Sequence, residues 1–251
     1  MTTEREATPT PEVADPLETR THKWGFGAFL FVFAIFVLSA VVIGALVGII
    51  APGSGGTSTV VVIGTMVPTL LATGVALLVT KVRGNGPRID LRWSMRAEDV
   101  KVGVKFGLIG LICTTLAAVV WTNLVGDQNA QSAVGALVDN QLMPIAPAIA
   151  MFLFVWLIGP VCEEIIYRGL LWGALERLKW GRWAVFFLTT IIFAVSHLEP
   201  LRTSLLLVIG IPIGLARLFT GRLGASIIAH QVNNFLPAVA TLLVALGAMP
   251  A

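Results

Sequence analysis

Two adjacent glutamates and an arginine, Glu163, Glu164 and Arg168, sit in "VCEEIIYRGLL" (161–171), with apolar runs on both sides. Further on, "FAVSH" places Phe193 and His197 four residues apart, and "HQVNN" does the same for His230 and Asn234. On a helix each i,i+4 pair shares one face. Carboxylate, imidazole and carboxamide groups are the parts from which a water-activating site is built. A glutamate or histidine takes the proton of the attacking water, and N–H donors meet the oxyanion that forms.

The elements that carry these groups are apolar enough to cross a bilayer. The chain has 251 residues, 56% of them hydrophobic and 12% charged, with a mean hydropathy of +0.88. Soluble domains carry about 25% charged residues. A span takes about 20 apolar residues, and the segments 25–50, 58–80, 102–124, 145–177, 183–198, 203–220 and 223–248 are candidates. The fifth and sixth are short. The fourth and seventh are over-long, and Pro237 divides the seventh if it breaks that helix. The expected fold class is therefore all-α, a polytopic transmembrane helical bundle of seven to eight spans.

The polar, Pro/Thr-rich segment 1–24 reads as a disordered cytoplasmic tail ahead of a single membrane-embedded domain, 25–251. Fifteen of the 17 basic residues fall on one side of a seven-span path, in the tail and the even loops; Arg217 and Arg222 are assigned to the sixth loop. Arg202 lies opposite and Arg168 lies inside a span. That bias puts the N-terminus in the cytoplasm. The charges sit between spans, not on one soluble face, so nucleic acid is not a partner. Cys113 and Cys162 both fall in apolar runs and read as small buried hydrophobes. The basic loop 81–101 reads as an orientation signal, not a specific lipid site.

Intramembrane charges cost roughly 2.5–3.5 kcal/mol each even on lenient scales, so they pair or face a cavity. At about 100° per residue Arg168 lies some 40° from Glu164 but some 140° from Glu163. Arg168 should pair with Glu164 and leave Glu163 available. Counting from the intervening loops at about 1.5 Å per residue, Glu163 and His197 are level, whereas His230 is shallower by about 10 Å. A sunken sixth loop or a protruding fourth span would remove that mismatch.

The ordered set "EEIIYR" (163–168), "FAVSH" (193–197) and "HQVNN" (230–234) resembles the CPBP family, the CAAX-prenyl endopeptidases and bacteriocin-processing (Abi) proteins. The likeness covers about 145–248. It implies an intramembrane endopeptidase acting on peptide or lipidated-peptide substrates at the lipid bilayer. By motif position, Glu163 and His197 would activate water and His230 and Asn234 would stabilise the oxyanion. Glu164, Arg168 and Phe193 would support the site. Glu163, His197 and His230 also form the donor set of a His₂Glu zinc site. The chain has no HExxH motif and asparagine is a poor zinc ligand, which favours hydrolysis with no cofactor. The Ala/Gly/Val-rich spans suit a bacterial plasma (inner) membrane. Two other readings use the same polar residues, a proton- or ion-coupled transporter and a non-catalytic scaffold. Paired broken helices in two halves, a pointer to transporters, are not seen.

Overall fold

The computed structural model describes residues 23–50, 58–126, 132, 135 and 142–249. The tail expected at 1–24 lies outside them except for Lys23 and Trp24. Among the described residues there is no strand. The helices are α1 (Phe26–Ile50), α2 (Ser58–Arg83), the single turn α3 (Pro87–Asp90) and α4 (Ala97–Val125). They continue as α5 (Ile145–Arg177), α6 (Arg182–Val195), α7 (Thr203–Thr220) and α8 (Leu223–Ala245), with a 3₁₀ turn at Pro200–Arg202.

Among the described residues, six helices are long and apolar enough to cross a membrane, fewer than the seven to eight expected. Two local facts account for the difference. The fifth segment forms a helix of 14 residues, about 21 Å long, which is short of a hydrocarbon core about 30 Å thick. The seventh runs unbroken through Pro237. Proline removes one hydrogen bond from a helix, and neighbours in a membrane bundle can compensate for that loss.

The core forms around the second half of α5. Ile165, Leu170, Leu171 and Trp172 pack with Phe29 and Val32 of α1, Ala72 and Ala76 of α2, Val185 and Phe186 of α6, and Leu223 and Ile227 of α8. Lipid offers no hydrophobic drive between helices, so close packing has to supply it. Small residues do so on α4. A Cβ at Gly103 would lie 2.8 Å from the Ala225 carbonyl, and one at Gly107 would lie 2.9 Å from that of Ala229. This Gly-x-x-x-Gly stripe brings α4 against α8, and the Thr114 hydroxyl then donates to Asn233 Oδ1 at 3.0 Å.

The segment between α2 and α4 folds over the end of the bundle. Trp24 is buried, and its indole N–H donates to Asp90 at 2.7 Å. The Arg177 guanidinium lies 3.5 Å from a Trp24 ring centre. Arg92, in a left-handed conformation (φ 51°), joins two helices: its side chain pairs with Glu176 of α5 at 3.0 Å, and its carbonyl accepts the N–H of Leu223 at 3.1 Å. Arg222 reaches Asp99 at 2.7 Å. A loop rich in basic residues thus also clamps the helices that carry the motifs.

This clamp explains how the mismatch in depth is removed. Gly169 of α5 packs against Leu91, and Gly224 of α8 packs against Ser94. Glu164 is five residues before the first of these glycines and His230 six residues after the second. Both side chains therefore stand at one level, because α5 continues to Arg177 past the start of α8.

Candidate active site

Glu164 and Arg168 are fully buried and form the expected i,i+4 ion pair, Nη1 to Oε1 at 3.0 Å. Arg168 also donates to the Gly210 carbonyl at 3.3 Å, and its guanidinium stands 4.3 Å from the centre of the Phe193 ring. Among the described residues no arginine pairs with Glu163. Its side chain is 30% exposed, so it is less dry than a carboxylate sealed in an apolar pocket, and its Oε2 faces His230 Nε2 at 3.7 Å.

His230 links the two glutamates. Its Nδ1 lies 3.0 Å from Glu164 Oε1. A carboxylate paired with arginine is ionised and can only accept, so Nδ1 carries the proton and Nε2 points toward Glu163. His197 is oriented by the same logic. Its Nδ1 donates to the Phe193 carbonyl at 2.7 Å, which leaves Nε2 unprotonated in the neutral ring. The carbonyl is available because α6 ends at Val195 and the chain turns through Leu198 at φ 56°.

Phe193 is the common neighbour of these groups. Its ring centre is 4.7 Å from that of His197, 5.8 Å from that of His230 and 5.3 Å from that of Tyr167, each edge to face. Three elements, α5, α6 and α8, thereby bring Glu163, Glu164, Arg168, Phe193, His197 and His230 together. Asn234 follows one turn after His230, and its Nδ2 donates to the Val155 carbonyl of α5 at 3.3 Å. Among the described residues, no three His, Cys, Asp or Glu side chains cluster to hold one ion.

Residues 145–236 match the family model described as type II CAAX prenyl endopeptidase Rce1-like. The membrane-embedded CAAX protease MroQ of Staphylococcus aureus (strain USA300) is 27% identical over 175 residues, 66% of this chain and 67% of that protein. Both comparisons support the likeness to the CPBP family. No solved structure matches it. The matched region holds all three motifs, and the six apolar helices among the described residues agree with an integral membrane protein.

Several polar partners of this core were not legible in the sequence. Arg217, assigned to the sixth loop, is instead 1% exposed inside α7. Its Nε donates to the Arg168 carbonyl at 3.0 Å, and its guanidinium lies 5.3 Å from a Trp172 ring centre. The apolar context "IGLARLFT" was the available signal. Tyr167 and Ser196 share a hydroxyl–hydroxyl bond beside Phe193, and Ser196 also donates to the Phe193 carbonyl at 2.9 Å. Along α5 the residues Glu164, Arg168, Trp172 and Glu176 follow at intervals of four. Trp172 donates to Glu176 at 2.9 Å, so one helix face carries polar groups from the site to the clamp.

Proposed function

We propose that this protein is an intramembrane endopeptidase that hydrolyses peptide bonds of membrane-associated substrates, prenylated CAAX-like termini among them. The observation carrying this reading is the placement of His230, held by Glu164 through Nδ1 and turned toward Glu163 through Nε2. Three features support it: the likeness to the CPBP family, the shared Phe193 contact of both imidazoles, and the freedom of Glu163 from any arginine among the described residues.

In the proposed reaction Glu163, assisted by His197, takes a proton from water as the oxygen attacks the scissile carbonyl. The tetrahedral oxyanion accepts hydrogen bonds from His230 and Asn234. Since Glu164 holds Nδ1 as a donor, donation from Nε2 requires the imidazolium form of His230. Asn234 has two N–H groups on Nδ2, and the one not given to Val155 serves the oxyanion. Such donors are worth roughly 2.7–4 kcal/mol each in comparable sites. Collapse of the intermediate expels the amine, which takes back the proton held by Glu163. Glu164, Arg168 and Phe193 keep the three helices in register. No metal enters this scheme. The basic clamp would face the cytoplasm of a bacterial cell, as the charge bias along the chain supports.

The test is cleavage of a membrane-anchored peptide library by the purified chain in lipid. Wild type should cut a subset, and Glu163→Gln should lose activity by about 10²–10⁴-fold. Solute transport across vesicles with no peptide cut would overturn the reading.

A further inference from the structure

Two stretches of α5 wind as π-helix, Phe154–Ile158 and Ile165–Leu171, and they flank Gly159–Glu164, which ends in the paired glutamates. Pro160 accounts for the first. It has no N–H to offer the carbonyl four residues back, and its ring crowds that carbonyl. The N–H of Gly159 reaches five residues back, to Phe154, instead.

A wider turn interrupts the regular ladder, and in hydrocarbon each unmet backbone group costs several kcal/mol. Here α8 supplies donors. Gln231 Nε2 donates to the Leu157 carbonyl at 3.1 Å and Asn234 Nδ2 to that of Val155 at 3.3 Å. Both amides reach carbonyls within the first π-turn. Gln231 is next to His230 in sequence, and Leu157 lies six residues before Glu163.

From this geometry we infer that Gln231, an intervening position of the third motif to which no role has been given, is a positioning residue for the proteolytic site. Its amide bond to the π-turn sets how α8 lies along α5, and so holds His230 Nε2 against Glu163. Misplacement of reacting groups by about 1 Å can cost about a hundredfold in rate. The 3.7 Å separation of Glu163 and His230 leaves little slack in the same direction. Asn234 alone does not fix this register, because its other N–H is needed by the substrate. This inference rests on the protease reading for its effect on rate. Its effect on His230 can be read without any turnover.

The experiment uses the full chain in nanodiscs. Gln231→Met keeps the length of the side chain and removes the donor, whereas Gln231→Lys keeps a long donor. The first readout is kcat and KM on a membrane-anchored peptide. The second is the imidazole 15N signals of histidine-labelled protein, which has three histidines. Gln231→Met should lower kcat by about ten- to a hundredfold with KM within about twofold of wild type. The His230 signals should move while those of His197 stay, and Gln231→Lys should restore both readouts. If Gln231→Met does not fold, Gln231→Ala removes the same donor and is read in the same way. Unchanged kcat and unchanged His230 signals would overturn the inference, as would a loss that tracks only the amount of folded protein. A wild-type chain that cuts nothing would refute the protease reading, and the His230 signals would still decide the clamp.

Discussion

His230 Nδ1 donates to Glu164 Oε1 at 3.0 Å, so the second of two adjacent glutamates, and not the first, orients the imidazole. That carboxylate already accepts from Arg168 at 3.0 Å. One oxygen therefore serves two donors from two helices. Glu163, one residue earlier and a quarter turn away, is spared any arginine and faces the other ring nitrogen.

The two glutamates should behave differently when changed singly. Glu163→Gln removes a group with no arginine partner and 30% exposure, so thermal unfolding in lipid should stay near wild type while cleavage falls by about 10²–10⁴-fold. A large drop in unfolding temperature would contradict this division of labour.

Arg168→Met leaves Glu164 buried and charged without its partner. Breaking such a pair costs about 3–5 kcal/mol, whereas replacing both members by apolar groups is often near neutral. The double change Glu164→Leu/Arg168→Met should therefore be more stable than Arg168→Met alone, as measured by denaturant unfolding in detergent. It should remain inactive, since His230 then has nothing to hold Nδ1.

On α4, a Cβ at Gly107 would meet Val232 Cβ at 2.6 Å and the Ala229 carbonyl at 2.9 Å. Gly107→Val should force α4 from α8 at a cost of about 1–3 kcal/mol. Gly74, with nothing within 4 Å of its built Cβ, should accept alanine without loss. Equal unfolding temperatures for the two variants would refute close α4–α8 packing.

Trp24→Phe keeps an aromatic ring under Arg177 and removes the N–H that donates to Asp90 at 2.7 Å. Loss of a hydrogen bond to a charged group is worth about 1.5–3 kcal/mol. Limited proteolysis should then cut the segment between α2 and α4 faster than in wild type, and unchanged cutting would argue against the clamp.

Metal removal separates the two chemistries open to Glu163, His197 and His230. Dialysis against a strong zinc chelator should leave peptide cleavage intact. Loss of activity restored by stoichiometric zinc would overturn the metal-free reading.

Local relations were legible in the sequence because helix geometry alone sets them. The Glu164–Arg168 pair follows from a spacing of four, and the spans follow from runs of apolar residues, whereas His197 meets Phe193 from the turn after α6. Relations between helices were not legible. The count from the loops put His230 too shallow, since it assumed that every helix starts at one plane, whereas α5 overshoots α8 and is held there by Leu91, Arg92 and Ser94. Arg217 looked like a loop cation until α7 enclosed it between the Arg168 carbonyl and Trp172. Periodicity arguments also assume a uniform helix, so they could not foresee two π-turns in α5 or the amides of α8 that meet the first. Spacing along one helix is a property of the chain. How far one helix slides past another depends on which side chains fit and which carbonyls need donors, and only the packed bundle settles that.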